Sequence, residues 1–291
     1  MAVLVTGATG MFGARVTEIL ARSGVEVLAM TRSPDRAEKL TRGTVTGVVA
    51  DLDDPSSLSA VMERAERMFL VSPMHADLGR REVTAIKAAA AHRLTHVVKL
   101  YGAVRHEGDQ LDTQHQLSID ALRESGVTWT LVSPQTVMET NLFGQIEGIR
   151  QARRMYGSAG DGRIGMVALD DGAEVAAHAL QSEPKAWSER NLEITGPAAL
   201  TYAEIAAELS KGFGCEISYV DMLEDDFATM LIENGVPAVD LDLLILCHFR
   251  QMRAGNASLV NDTFQSVMGR PATSVREWAK AHRDKFGFSD D

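Results

Sequence analysis

The chain has 291 residues, of which 45% are hydrophobic, and this is enough apolar material for one large domain with an appendage or for two small domains. A disordered chain is thereby excluded, and the formal net charge of -11 argues against a general affinity for nucleic acid. Cys215 and Cys247 lie far apart and lack the Cys or His spacing of a zinc site, so no metal ligand is predicted.

Targeting and membrane signals are lacking in the sequence. The chain starts without a basic segment followed by an apolar one, and it contains no apolar stretch of about 18 residues. We therefore expect a cytoplasmic protein with no membrane partner.

Short apolar runs alternate with stretches of helical periodicity through the N-terminal half of the chain. The runs predict strands at 3–5, 25–30, 45–50, 68–71, 96–100 and 127–132. The stretches between them predict helices that include 13–23, 56–67, 79–91 and 114–125. Strands that alternate with helices of this length predict an α/β fold, a Rossmann-type doubly wound parallel sheet. Ligands of such a sheet bind at the carboxyl ends of its strands.

The alternation changes after Asn141. The glycine-rich stretch GSAGDGRIG, 157–165, is expected to close over a substrate or to turn a hairpin. A helix at 171–181 follows, and Asp171 is expected to cap it. A further strand is predicted at 191–195.

Helices dominate the sequence from Thr201 onward. We therefore predict a Rossmann domain at 1–198, of which 141–172 contribute partly to a cleft. A smaller, mainly helical C-terminal lobe at 199–291 would bind the substrate. Within it, the apolar-rich segment LDLLILCHFRQM, 241–252, indicates a roofed hydrophobic pocket or a packed helix, and we favour the helix.

Three glycines interrupt the first predicted strand and helix in the sequence TGATGMFG. Gly7 can take a tight turn, Gly10 lets the backbone approach a pyrophosphate, and Gly13 permits close packing of the helix on the strand. The N–H groups of the following helical turn would face the phosphates. The predicted dinucleotide cradle comprises Gly7, Thr9, Gly10, Met11, Phe12 and Gly13. The alternative is a structural turn that has lost its ligand.

The end of the second predicted strand selects the cofactor. It reads AMTRSPDR, and Arg32 stands where a guanidinium could pair with the 2'-phosphate of NADPH. We therefore favour NADPH over NADH. Asp35 could replace Arg32 if the turn is longer, and Arg32 could instead be an ordinary solvated arginine.

Other strand ends predict further cofactor contacts. Asp51 and Leu52 end the third strand, where adenine usually binds, although Asp51 could instead cap the helix that begins near Ser56. Ser72 and Pro73 end the fourth strand and should pass close to the nicotinamide ribose. Lys99, at the end of the fifth strand, would meet the cofactor ribose or point to solvent.

Four segments of the chain resemble the NmrA-like branch of the atypical short-chain dehydrogenases/reductases. They are TGATGMFG, HQLSIDALRESGVTWTLVSPQTVMETNL, AGDGRIGMVALDDGAEVAAHAL and NLEITGPAALTYAEIAAELSKGFG. Within that family the chain is most similar to quinone reductases and triphenylmethane-dye reductases. The resemblance implies a Rossmann domain that holds NADP(H) and a cleft under a small C-terminal lobe. The family contains both reductases and regulators that bind the nucleotide without turning it over.

The tyrosine and lysine pair of standard short-chain dehydrogenases does not occur in this chain. None of its four tyrosines has a lysine four residues later. Tyr101 follows the fifth strand, and we expect it to donate a proton to the substrate, with electrostatic help from Arg105. The alternative is a tyrosine that lines the cleft by shape alone.

His115 matches a histidine common in the dye-reductase and quinone-reductase group. It is the second candidate catalytic residue because imidazole can donate a proton or orient a ligand near neutral pH. The alternative is a structural helical histidine. The acid that the family carries four residues later is replaced by Ile119, and Asp120 stands next to it, which weakens any histidine–carboxylate pair.

The family resemblance also implies a substrate-side loop. An arginine of the family is replaced by Ser133, and Pro134 should lie in the loop beneath the nicotinamide. Val137, Met138 and Asn141 are the predicted substrate-binding residues.

The sequence thus predicts an NAD(P)H-dependent oxidoreductase that transfers hydride to a small organic molecule. Its acceptor would be a quinone, an enone or another carbonyl-bearing compound, such as a polyketide-like ring. The alternative is a noncatalytic regulatory protein that senses NADP(H). We expect a monomer or homodimer.

Overall fold

Apolar runs form strands where both faces of the sheet are covered, and here the runs of the N-terminal half are almost wholly buried. The computed structural model describes residues 1–102, 104, 106 and 108–288. Its strands are β1 (Ala2–Val5), β2 (Glu26–Thr31), β3 (Val45–Val49), β4 (Arg67–Leu70), β5 (His96–Leu100), β6 (Trp129–Pro134), β7 (Arg154–Gly157), β8 (Arg190–Ile194) and β9 (Ser218–Asp221).

Helices connect most of these strands. Those of the first 152 residues are α1 (Met11–Arg22), α2 (Pro34–Leu40), α3 (Pro55–Met62), α4 (Leu78–Ala91), α5 (Gln110–Glu124), α6 (Met138–Leu142) and α7 (Ile146–Ala152). Those that follow are α8 (Leu169–Gln181), α9 (Tyr202–Phe213), α10 (Glu224–Glu233), α11 (Ala238–Leu241), α12 (Cys247–Arg253), α13 (Thr263–Met268) and α14 (Val275–Ala281). None of the helices in the described residues is long and apolar enough to cross a membrane.

The large sheet has seven strands in the order β3-β2-β1-β4-β5-β6-β8. The pairings from β3 through to β6 are parallel. This is the strand order of a Rossmann fold, so the predicted fold class is confirmed. In such an order the chain reverses direction across the sheet between β1 and β4, and ligands bind beside the carboxyl ends of these strands.

Two predicted helices differ from the structure at one end each. One ends earlier because the next strand intervenes, and the other begins earlier because a polar side chain caps it there. The helix predicted at 56–67 ends at Met62, since Arg67 already begins β4. The helix predicted at 114–125 begins earlier, at Gln110, because the Asp109 carboxylate accepts a hydrogen bond from the N–H of Asp112.

The described chain divides into two compact units. The first unit comprises Met1–Tyr101, Gly108–Ser133 and Gly172–Leu192. The second comprises the described parts of Gly102–Glu107, Pro134–Asp171 and Glu193–Asp291. The second unit is therefore drawn from separated stretches of sequence, and the predicted domain boundary after residue 198 stays a prediction.

The second unit has its own hydrophobic core, to which Tyr202, Leu209, Phe249 and Trp278 contribute fully or almost fully buried side chains. Its small sheet pairs β7 with β9 in parallel, so the glycine-rich stretch after β7 does not turn a hairpin and that prediction is wrong. Whether this stretch closes over a substrate stays a prediction.

The apolar-rich segment 241–252 is a packed helix, as favoured from the sequence. It runs from the end of α11 through a π-helical segment, Asp242–Leu246, into α12. Leu246, Phe249 and Met252 are buried along it.

Asp171 does not cap a helix, because α8 begins two residues earlier, at Leu169. Its buried carboxylate instead accepts hydrogen bonds from the backbone N–H and the hydroxyl of Thr273. The predicted cap is therefore wrong, because the hydrogen-bond partner of Asp171 lies about a hundred residues away along the chain.

Candidate cofactor and active site

The glycine turn between β1 and α1 has the backbone geometry of a phosphate cradle. Gly7 has a φ of +57°, and a Cβ on Gly13 would lie 2.2 Å from the Gly7 carbonyl oxygen, so neither position accepts a larger residue without a shift. Gly10 is the N-cap of α1 and offers no side chain to its N–H groups. Thr9, Gly10 and Met11 are exposed, whereas Phe12 and Gly13 are buried beneath them. The start of α1 therefore presents backbone N–H groups that fit an anion.

Arg32 stands directly after β2 and is exposed, as the cofactor prediction requires. The next residue, Ser33, caps α2 by accepting a hydrogen bond from the N–H of Arg36. Asp35 lies in the first turn of α2, beyond this cap. The turn is thus short, which leaves Arg32 and not Asp35 at the strand end.

Asp51 is not the cap of the following helix. The N-cap of α3 is Asp54, whose carboxylate accepts hydrogen bonds from the N–H groups of Ser56 and Ser57. One Asp51 carboxylate oxygen accepts the N–H of Asp53 at 3.0 Å, which fixes the turn after β3. Leu52 is buried in the core of the first unit. The adenine contacts of Asp51 and Leu52 stay predictions.

A buried ion pair lies at the ends of β4 and β5. The Lys99 ammonium is 2.6 Å from a carboxylate oxygen of Glu82 on α4, and the two side chains are 0% and 2% exposed. The Ser72 hydroxyl donates to the other Glu82 oxygen at 3.0 Å. Pro73, next in the chain, is exposed. The suggestion that Lys99 points to solvent is therefore wrong, and its predicted ribose contact stays a prediction.

His115 and Tyr101 lie next to this ion pair within the first unit. We call the linked side chains of Ser72, Glu82, Lys99, His115 and Tyr101 the polar chain. The Lys99 Nζ lies 3.4 Å from His115 Nδ1. The His115 ring meets the Tyr101 ring edge-on, with 5.0 Å between centroids. The structure thus brings both candidate catalytic residues together, beside a lysine that the sequence had linked only to the cofactor.

Arg105 and Asp120 are the charged residues that the sequence suggested as partners of Tyr101 and His115. Arg105 lies outside the described residues. Asp120 forms an exposed ion pair with Arg123, so it is engaged away from the imidazole.

The predicted substrate-side residues belong to the second unit. Pro134 and Val137 are buried, and Met138 is fully buried in the core of that unit. The Asn141 side-chain oxygen accepts a hydrogen bond from the Tyr202 hydroxyl at 3.0 Å. Burial raises the pKa of Tyr202 far above its usual range, which keeps the hydroxyl protonated as that donor. The substrate contacts of these residues stay predictions, and Met138 would have to become accessible to make one.

Glu82 is the residue of this polar chain that the sequence did not reveal. It follows Arg80 and Arg81 in α4, and a run of charged residues in a helix usually forms a solvent-exposed face. One signal was present, because a lysine inside the apolar strand HVVKL needs a buried acid if it is to remain charged.

Comparisons with known proteins cover nearly the whole chain. The NmrA-like family matches residues 1–245. The (4-alkanoyl-5-oxo-2,5-dihydrofuran-3-yl)methyl phosphate reductase of Streptomyces griseus is 34% identical over 290 residues, 98% of this chain and 99% of that protein. An NAD(P)H azoreductase of Xenophilus azovorans is 29% identical over 288 residues, again 98% and 99% of the two chains.

A solved structure has the same fold. The NADPH-dependent quinone oxidoreductase of Escherichia coli, crystallised with NADPH, superposes with a TM-score of 0.86 at 25% identity, over 97% of this chain and 99% of that one. The glycine turn, the strand order and these matches agree. The chain belongs to the NmrA-like family.

Proposed function

We propose that this chain, an NAD(P)H-dependent oxidoreductase, uses NADPH to reduce a quinone, an enone or another carbonyl-bearing organic acceptor. One observation carries the proposal: the glycine cradle after β1 and the contacts of His115 with Lys99 and Tyr101 at the end of β5 lie at the carboxyl edge of one parallel sheet. That edge is where a Rossmann sheet binds a dinucleotide.

The cradle and Arg32 hold the two ends of the nucleotide in this proposal. The N–H groups at the start of α1 receive the pyrophosphate, and the Arg32 guanidinium pairs with the 2'-phosphate. When bound, NADPH supplies the hydride. Ser72, Pro73, Lys99 and Pro134 would orient the nicotinamide end.

Tyr101 is the proposed proton donor. As hydride reaches carbon, negative charge develops on the acceptor oxygen, and the Tyr101 hydroxyl donates a proton to it. His115 packs against the Tyr101 ring and holds it in place. Lys99, paired with Glu82, contacts the imidazole of His115 and so fixes its orientation beside Tyr101.

The acceptor class is supported by what the relatives reduce. Their names describe an azo compound, a quinone, and a furan ring whose C=C bond is conjugated to two carbonyl groups. All three are conjugated acceptors that can delocalise the charge left by hydride addition. We infer that the acceptor of this chain is conjugated too, with Val137, Met138 and Asn141 as its proposed contacts.

Steady-state NADPH oxidation with a panel of quinones and enones tests the proposed chemistry. In Tyr101→Phe we expect kcat to fall roughly 100-fold, the lower end for loss of an acid catalyst, with little change in NADPH affinity. His115→Gln should lower kcat less. Unchanged kcat in Tyr101→Phe would exclude it as the donor. Micromolar NADPH binding without turnover on any acceptor would support the sensor alternative.

Arg32→Ala tests the cofactor assignment. It should weaken NADPH binding by about 10-fold or more while leaving NADH nearly unchanged, because a charge-assisted contact to the 2'-phosphate is worth roughly 1.5–3 kcal/mol. The matched control is Arg64→Ala, an exposed arginine that precedes β4 and so lies at the opposite edge of the sheet. Equal losses for both cofactors would contradict the assignment.

A further inference from the structure

Two histidines and a cysteine meet inside the second unit. The Nδ1 of His248 lies 3.1 Å from the Nε2 of His106. Ligand atoms of His106, Cys247 and His248 all lie within 4.8 Å of one another. His106 is 8% exposed and Cys247 is 5% exposed, while His248 is half-buried.

The chain builds this cluster from two separate segments. Cys247 and His248 are the first residues of α12, directly after the π-helical segment Asp242–Leu246. The Cys247 thiol donates to the Leu243 carbonyl oxygen at 3.2 Å, which holds the sulfur against the helix. Single π-helical turns of this kind are frequent at functional sites. His106 arrives from the segment after β5 and packs edge-on against His248, with 4.8 Å between ring centroids.

The donor set has the chemistry of a transition-metal site. Imidazole nitrogen and thiolate sulfur are the preferred ligands of Zn²⁺, at about 2.0–2.1 Å and 2.3 Å. To bind a metal, the facing nitrogens of His106 and His248 must both be unprotonated, which requires one ring to change its tautomer. Binding would release the thiol proton of Cys247 to solvent, because the thiolate is the ligand.

We propose that His106, Cys247 and His248 bind a divalent transition metal of the zinc class. Three protein ligands leave one coordination position for water or a small ligand, as in zinc sites that remain open. The site rests on the second unit alone and does not depend on the proposed reductase activity. Spacing along the sequence could not indicate it, since His106 precedes His248 by 142 residues.

Cobalt titration of the full-length protein tests the site directly. Bound Co²⁺ should give a thiolate-to-cobalt charge-transfer band in the near ultraviolet that saturates at one equivalent and is displaced by Zn²⁺. Cys247→Ser should abolish the band. His106→Gln should weaken Co²⁺ binding at least about tenfold, which is the lower end even for loss of an outer-shell partner.

Matched variants distinguish this site from adventitious binding. Cys215→Ser removes the second cysteine of the chain, and His75→Gln removes an exposed histidine of the first unit; both should leave the band and its midpoint unchanged. Circular dichroism of each variant checks folding, and His106→Gln carries the test if Cys247→Ser unfolds. No charge-transfer band in the wild type, a band that persists in folded Cys247→Ser, or wild-type Co²⁺ affinity in His106→Gln would overturn the proposal.

Discussion

The Lys99 ammonium and the Glu82 carboxylate form the most demanding residue pair of the candidate site. Both side chains are essentially without solvent contact, and they lie 2.6 Å apart. Removing two charges from water costs several kcal/mol each, and their attraction and the Ser72 hydrogen bond offset this cost. The pair lies next to His115, where its fixed position orients the imidazole.

Glu82→Gln should therefore destabilise the protein by about 3–5 kcal/mol, because it leaves Lys99 buried without a counter-charge. Urea unfolding of the variant measures this loss. The double variant Glu82→Leu with Lys99→Met should regain most of the stability, since it replaces both charges by apolar groups of similar size. A Glu82→Gln variant as stable as the wild type would show that the pair is not energetically coupled.

His96 is a buried histidine whose environment favours its neutral form. Burial, and secondarily the nearby Arg67 guanidinium, lowers the pKa of His96 from 6.5 to about 4. Its Nε2 lies 2.8 Å from the Thr130 hydroxyl oxygen. Between these pH values the unfolded chain binds the proton and the folded chain does not.

The free energy of unfolding should consequently fall as the pH is lowered from 6.5 to about 4, by up to roughly 3 kcal/mol from this residue, at about 1.4 kcal/mol for each pKa unit. His96→Gln should flatten this part of the stability profile, measured by urea unfolding at successive pH values. An identical slope in wild type and variant would contradict the lowered pKa.

The conformation or position of a single residue at a strand end could be predicted when it depended only on the local backbone. Gly7 and Arg32 are examples, because a turn that requires positive φ and a position directly after a strand can be read locally. Glu82 was not predictable from α4, since its burial depends on Lys99 from another strand. Asp171 was predicted to cap a helix, and that prediction was wrong because its partner, Thr273, is remote in sequence.

The glycine-rich segment after β7 illustrates how an element depends on packing. A Cβ on Gly162 would lie 2.0 Å from the Met252 carbonyl oxygen of α12, and one on Gly157 would lie 2.5 Å from the Phe249 ring. These glycines let the segment approach the helix closely. Their abundance therefore reflects close packing in the second unit, which no local pattern distinguishes from a hairpin.

Gly162→Ala should destabilise the protein by roughly 2 kcal/mol or more, because the backbone of Met252 cannot move aside cheaply. Thermal or urea unfolding measures the change. Gly144→Ala is the matched control, since nothing lies within 4 Å of the added Cβ, and it should be neutral or slightly stabilising. Equal stabilities of the two variants would contradict the packing explanation.

Elements of the large sheet were predicted well because each apolar strand is recognisable by itself. Every strand from β1 to β6 was located within one or two residues, since burial on both faces gives a continuous apolar run. The features of the second unit that were missed include β7, β9 and the π-helical segment before α12. Ser218–Asp221 is short and only partly buried, and a π turn has no distinctive sequence period.

At the scale of the whole molecule, contacts distant in sequence set the limit of prediction. The second compact unit combines stretches that begin at residues 102, 134 and 193. Sequence periodicity reports local burial but not which stretches meet, so the His106, Cys247 and His248 cluster could be found only in the structure. The edge of the parallel sheet was the exception, because the topology of alternating strands and helices brings the strand ends together by rule.

At the scale of the whole molecule, we propose that the chain holds NADPH and passes its hydride to a conjugated acceptor. The most direct measurement is a single turnover in which the protein, loaded with one equivalent of NADPH under anaerobic conditions, is mixed with a quinone or enone. We predict that nicotinamide absorbance disappears in step with the acceptor, one molecule for one. Tightly bound NADPH that stays reduced with every acceptor of the panel would contradict the account.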